Sequence, residues 1–438
     1  MGNEDKIARN MEKTTFYIAT LGCKVNQYES QVIRERFLER GYKEVDSIDK
    51  AGVCVVNTCT VTSTSDSKSL RLINTVKKRK KCVIATGCMV EDKDLDLSKF
   101  KGVDFIIKNK DKYNIPQLIT GYGERSNVPQ SSTLNPITGL KGHTRVFVKV
   151  QDGCDNACSY CKVRVVRGHS RSRPLNKILD ECRILIRNGT REIVLTGICL
   201  GAYGRDLARD LDICKLIKKI SEIEGDWRFR LSSIEPNNIN EDLIAELKAQ
   251  KRLCKHLHLP FQSGDNDILD RMNRPYTREA YLDIVRKLRD AIPDIAISTD
   301  IMVGFPGETE KRFQNTLNFI KLVRPMRMHI FPYSKRKGTK AYGFGDNISN
   351  AVKRERENRL RDLAARFSKE FIDKFINREV EMLVEDKESK EGHLQGYTDR
   401  YIKVYTCDQD SLKGRLIKGQ ITLFKDNDSA IYRPYLVK

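Results

Sequence analysis

The sequence predicts an α/β protein built of three units: an N-terminal doubly wound parallel sheet, a central six-unit (β/α) partial barrel and a small C-terminal β-barrel. Three observations predict it. From Phe16 to about residue 120, short continuously apolar runs alternate with helical stretches, the pattern of parallel strands buried on both faces. A second series of this kind follows a segment rich in Gly, Ser, Asn and Pro. From Arg378 the pattern turns to short β runs with no helices between them.

In the first unit, "FYIATLGC" reads as a strand and Gln27 to Arg40 as a helix closed by Gly41. "AGVCVVNTC" is a strand, Ser65 to Lys81 a basic helix, and "CVIATGC" a strand. "VDFIIKN" is a further strand, followed by a helix near Ile115. The carboxyl ends of parallel strands lie on one edge of an open sheet, where ligands bind. Cys23, Cys59 and Cys88 each end a strand there, beside Gly or Thr residues that permit a tight turn. A lone buried cysteine is an ordinary core residue. Three in succession at strand ends point to a shared ligand. Cys54 and Cys82 lie at strand starts and read as core. The expected unit spans residues 14–122, with a linker over 123–142.

The second unit is expected over 143–350. Its six strand candidates are "RVFVKV", "EIVLTGI", "RFRLSSI", "HLHLPF", "IAISTDIMV" and "RMHIFPY". Helices are predicted over 174–188, 211–224, 241–250, 276–291 and 308–323. Six strands are too few for a closed eight-stranded barrel, so a splayed partial barrel is predicted. A long amphipathic helix with a basic face covers 351–377, and residues 378–438 form a small barrel of a type often used on RNA. Tyr397, Tyr401 and Tyr405 suit either a core stripe or a base platform.

The strongest chemical signal is "QDGCDNACSYC", a C-x3-C-x2-C loop with Cys154, Cys158 and Cys161 just after the first barrel strand. Three thiolates from one loop suit an iron–sulfur cluster with one open iron; tetrahedral zinc wants a fourth ligand. His143 or His169 could supply it, but neither stands at an ordinary zinc spacing. At the same rim, Gly197, Ser233, Glu235, Gln262 and Gly304 end strands and are candidate ligand contacts, although "MVGFPGET" also reads as a plain strand-to-helix turn.

The net charge of +21 points to a polyanionic partner. Arg167, Arg171 and Arg173 of "RGHSRSR", Lys78 and Arg79 of "KKRKK", and Lys335, Arg336 and Lys337 of "SKRKG" are candidate RNA contacts. Taken singly, such runs are usually solvated faces. No apolar run is long enough to span a membrane and the N-terminus lacks an apolar leader, so a cytoplasmic location is expected. Thirteen cysteines in a reducing compartment favour metal or redox chemistry over disulfides.

Taken together, "LGCKVNQYES", "VVNTCTVT", "QDGCDNACSYC", "IVLTGICLGAYG", "RLSSIEP", "FQSGDNDIL", "MVGFPGET" and "FPYSKRKGTKAY" resemble the radical S-adenosylmethionine methylthiotransferases. They are most similar to the bacterial branch acting on threonylcarbamoyladenosine in tRNA. The resemblance covers nearly the whole chain and implies two [4Fe–4S] clusters, S-adenosyl-L-methionine as cofactor, and a TRAM barrel at the C-terminus. It implies that Cys154, Cys158 and Cys161 hold the radical-generating cluster, and that Cys23, Cys59 and Cys88 hold a second cluster carrying the sulfur to be inserted. It places cofactor binding near the Gly197, Ser233, Glu235, Gln262 and Gly304 rim. The implied partners are a tRNA anticodon stem-loop and an electron donor such as flavodoxin or ferredoxin, with a monomeric chain and no membrane. Isopentenyladenosine in tRNA or a ribosomal-protein aspartate remain alternative targets. Two positions depart from the family: Arg164 stands where Pro is common, and Cys199 where His is common. Outside the family, a zinc-holding RNA-binding protein and a one-cluster radical enzyme are the rival classes.

Overall fold

The computed structural model describes residues 15–79, 81–94, 96–120, 135–207, 209–345, 348–388, 392–406 and 410–435. Most of the expected linker therefore lies outside the described residues.

The first sheet contains β1 (Thr15–Thr20), β2 (Lys43–Glu44), β3 (Val53–Thr58), β4 (Cys82–Gly87) and β5 (Phe105–Ile106). All pair in parallel, in the order β2-β1-β3-β4-β5. The side chains of β3 and β4 are buried throughout, which is why these runs are continuously apolar rather than alternating. The register sets Thr20 beside Asn57 and Thr58 beside Gly87, so the three cysteines that follow leave the sheet at one level. The helix after β1 spans Lys24–Leu38, starting directly at Cys23 rather than at Gln27. Its first turn is anchored by buried Val25 and Asn26, not by a capping side chain.

In the second unit, β6 (Arg145–Lys149) continues into the two-residue β7 (Gln151–Asp152). β7 pairs in antiparallel fashion with β8 (Arg171–Ser172), pinching the base of the loop that carries Cys154, Cys158 and Cys161. Parallel strands β9 (Glu192–Thr196), β10 (Arg228–Leu231), β11 (His256–His258), β12 (Ala296–Val303) and β13 (Arg327–Pro332) follow, each preceded by helix. They form two three-stranded sheets, β10-β9-β6 and β11-β12-β13. Single parallel bridges from Phe229 to Leu253 and from Ser233 to His258 join the two. The result is the splayed six-stranded partial barrel. One apolar core runs from Phe16 and Tyr28 of the first unit into Val148, Ile193 and Ile301 of the second, so the two are packed as one body.

The helix Asn350–Asp373 ends a turn earlier than the sequence pattern, because Phe371 and Phe375 dip into the core of the C-terminal barrel. Asn377 then reverses the chain at φ +61°. That barrel is closed, in the order β14 (Glu379–Glu388), β15 (Leu394–Thr398), β16 (Lys403–Thr406), β18 (Ser429–Pro434), β17 (Leu416–Asp426). It is fixed beneath the partial barrel by Arg228 and Arg230, which donate to backbone carbonyls of Glu381, Tyr397, Thr398 and Asp399. Between these two units lies a cavity of about 250 Å³ lined by Arg228, Arg252, Lys255, Glu381 and Arg400, on the edge opposite the cysteines.

Beside that apolar core, the seam between the first two units holds a buried ionic cluster. Glu29, with no exposure, receives Lys112, Lys149 and Arg167. Burial alone would raise its carboxyl, but the three cations outweigh burial and hold it well below the usual carboxylate range. Glu29→Gln strands three buried cations and is expected to cost about 3–5 kcal/mol in a denaturant titration. The wild-type contribution is complete above the ordinary carboxylate value of 4.5 and is lost as pH falls through the depressed folded value. The Gln variant should therefore show a shallower acid limb below that pH.

Candidate active site

Cys23, Cys59 and Cys88 follow β1, β3 and β4 and meet at one edge. A Cβ added at Gly22 would lie 2.9 Å from the Cys59 sulfur, so only the glycine, at φ +101°, lets the first loop close onto the second. Asn26 ties the loops together, donating to the carbonyls of Leu21 at 2.7 Å and Thr58 at 3.0 Å. Cys59 and Cys88 are buried, and Cys23 keeps an exposed surface although protein packs around it. Burial raises its thiol and pushes that of Cys88 up to about 11. Cys23 feels the charge of Cys59, and Cys88 that of Cys23.

Cys154, Cys158 and Cys161 are half-buried and also sense one another's charge. Burial raises Cys158 and pushes Cys161 up to about 12. Cys154 moves the other way: a hydrogen bond from the Cys199 thiol outweighs burial and lowers it to about 7. Cys199 is held for this contact by its N–H to Gln151 at 2.8 Å and by the Asn238 amide 3.9 Å from its sulfur. Cys199, which the sequence resemblance marks as a departure, thus sits against an expected cluster ligand.

Among the described residues, no three His, Cys, Asp or Glu side chains close around a single ion. The rim offers ligand-ready groups. Gln262 stands at φ +68° with its Oε1 buried and unpartnered. Ser233 and Gly197 are half-exposed at the ends of β10 and β9. Glu235 is ion-paired to Arg274, and burial raises its carboxyl.

Several expected contacts fall elsewhere. Gly304 is closed to a cofactor: a Cβ there would meet Lys353 at 2.5 Å, and its N–H already donates to Glu308. The glycine admits the long helix, and "MVGFPGET" is a packed turn. Arg167 is 5% exposed, and its guanidinium donates to Glu29, Asp152, Asn26 and the Cys88 sulfur, so it is not an RNA contact. Arg173 is spent on Glu181 and the Lys149 carbonyl. Arg336 is buried against Thr60 and Asp66, sealing the first two units together. Lys78 and Arg79 sit at the far end of the Ser63–Lys78 helix, on the order of 20 Å from the Cys59 edge by helical rise; Arg79 pairs with Asp49. Arg171, Lys335 and Lys337 are exposed.

Some functional groups were not anticipated. Arg274 donates to the Cys158 sulfur at 3.2 Å. Asn26, Glu29 and Ser30 form a buried polar face on an otherwise core-facing helix, a stripe visible in "KVNQYES". The histidines, which form no array in sequence, converge in the barrel lumen. His256 and His258 each lie 2.9 Å from Ser298 Oγ, and Asp300 lies between His258 at 3.2 Å and His329 at 3.3 Å.

Residues 148–320 match the Radical SAM superfamily, and residues 15–108 match a family described as uncharacterized protein family UPF0004. The chain is 37% identical to the threonylcarbamoyladenosine tRNA methylthiotransferase MtaB of Bacillus subtilis, over 92% of both chains. It is 38% identical to the MtaB of Thermotoga maritima over 89% of this chain and 90% of that one. A tRNA-2-methylthio-N(6)-dimethylallyladenosine synthase of Acetivibrio thermocellus is 35% identical over 97% of this chain and 92% of its own length. The fold is similar to that of the radical S-adenosylmethionine methyltransferase TsrM from Kitasatospora setae, with a TM-score of 0.53 at 14% identity over 72% of each chain. With the thiol triads at the strand ends and relatives matched almost end to end, the chain belongs to the radical S-adenosylmethionine tRNA methylthiotransferases, alongside the MtaB enzymes.

Proposed function

We propose that this chain converts N6-threonylcarbamoyladenosine next to the tRNA anticodon into its 2-methylthio derivative. The observation that carries the reading is the pair of thiol triads, on two different units, joined across one buried seam by Arg167. In this reading residues 14–122 hold the auxiliary cluster on Cys23, Cys59 and Cys88, and 143–350 hold the radical-generating cluster on Cys154, Cys158 and Cys161. When bound, the clusters and S-adenosyl-L-methionine supply reductive radical generation and a docking iron for sulfur.

The chain's own residues do the rest. Gln262 offers its unpartnered oxygen, and Ser233 an open polar edge, to the cofactor, while Gly197 packs against the Gln151 side chain. The Lys162–Asp92, Arg336–Asp66 and Arg167–Glu29 pairs keep the units closed, which excludes water from the chemistry. The lumen below the rim is polar, with Asp300 between His258 and His329. Such polar groups suit the hydrogen-bonding threonylcarbamoyl group better than an apolar isopentenyl one, because a site built to hydrogen-bond a substrate rejects one that leaves it unpaired.

Exposed Arg171, Lys335 and Lys337 near the cleft, and the barrel at 378–438 joined through the 351–377 helix, supply tRNA affinity. The surplus of 21 positive charges is available for this, because the buried arginines are largely matched by acids. Flavodoxin or ferredoxin is the proposed electron donor, and the working unit is a monomer. Among the described residues no helix is long and apolar enough to cross a membrane.

Deleting the gene should abolish 2-methylthio-N6-threonylcarbamoyladenosine from digested tRNA, as read by mass spectrometry, while its precursor accumulates. Loss of the methylthiolated isopentenyl nucleoside instead would move the enzyme to the neighbouring branch. Iron counting tests the cofactors. The anaerobically reconstituted chain should hold about eight irons, and replacing Cys23, Cys59 and Cys88 together by Ala should leave about four. An unchanged count would make those three cysteines mere packing.

A further inference from the structure

Two arginines touch sulfurs of the expected cluster ligands. Arg167 Nε lies 3.3 Å from Cys88 Sγ, and Arg274 Nη1 lies 3.2 Å from Cys158 Sγ. Each triad thus has one guanidinium against one of its sulfurs. Both side chains are 2% exposed. Neither is free to swing. Arg167 is locked by Glu29, Asp152 and Asn26, and Arg274 by Glu235 and Tyr276.

Reducing a cluster adds an electron that spreads onto its sulfurs. A fixed donor and a fixed cation at a sulfur stabilise that added charge, and in a buried setting neither water nor salt screens them. Hydrogen bonds to the sulfurs and local charge are among the factors that set cluster potentials. We propose that Arg167 and Arg274 are positioning residues that each raise the reduction potential of one cluster, Arg167 through Cys88 and Arg274 through Cys158. The proposal rests on the two-cluster reading above. The two arginines differ in one respect. Arg274 belongs to the same unit as its sulfur. Arg167 crosses the seam, from the turn after Cys161 to the cysteine after β4. The auxiliary potential is therefore tied to the closed seam, whereas the radical-cluster potential is not.

The test is a potentiometric titration of the reconstituted full-length chain, monitored by electron paramagnetic resonance and paired with iron analysis. Each cluster is isolated by replacing the other triad with Ala. R167Q is read in the chain lacking Cys154, Cys158 and Cys161, and R274Q in the chain lacking Cys23, Cys59 and Cys88. Each Gln variant should retain its iron and be harder to reduce by about tenfold, a downward shift of about 59 mV for a one-electron couple. R167K and R274K, which keep the charge on a shorter reach, should shift less. Full iron with an unmoved potential would overturn the proposal. So would loss of iron in a Gln variant alongside a Lys variant that titrates like its parent, since the arginine would then serve only assembly. Absence of iron from a parent chain would sink the two-cluster reading itself.

Discussion

Glu29 sits without exposure between two units and takes ion pairs from Lys112 of the first and from Lys149 and Arg167 of the second. A carboxylate in that position is tolerable only with all its partners in place. Those partners are the scaffold of the site. Lys149 closes β6, the strand that leads to the Cys154 loop, and also bonds Tyr113 and Asp152. Arg167 reaches past Glu29 to Cys88 and Asn26, and Asn26 in turn holds the loops after β1 and β3. One buried charge thereby fixes the distance between two groups of thiols that different stretches of chain supply. A looser, apolar seam would bury as much area without fixing a register, since apolar contact is not directional.

Much of this could be read from the chain. The cysteines at the ends of β1, β3 and β4 announce themselves, because a continuously apolar run ending in Gly or Thr and then Cys leaves little choice of edge. The spacing of Cys154, Cys158 and Cys161 is equally plain. The arginines were not legible. "RGHSRSR" and "SKRKG" show cations, but the acids that claim them lie far away in sequence: Glu29 for Arg167, Asp66 for Arg336. A cation with a distant buried partner and a cation facing solvent look alike in one dimension. Gly304 fails for a related reason. Its glycine is required by Lys353, some fifty residues later, and nothing local distinguishes that neighbour from a ligand.

The tyrosines of the C-terminal barrel show the same limit in a milder form. Tyr401, at φ +64°, stacks between His256 and Tyr397. Arg145, Arg230 and Arg327 face its ring at 5.3 Å, 4.8 Å and 5.3 Å. It is neither a simple core residue nor a base platform but a plug at the bottom of the partial barrel.

Cys199 shows how the loop that carries Cys154 is fixed. Its thiol lies against Cys154, and the hydrogen bond between them lowers the Cys154 thiol. A thiol is a weaker donor than a ring N–H, and a smaller one. Gln151 adds a firmer hold: its amide oxygen fixes the Cys199 N–H while its amide nitrogen grips the carbonyls of Asp152 and Gly153. The loop that leads into Cys154 is therefore held by one buried side-chain amide that bonds main-chain groups on both sides of it.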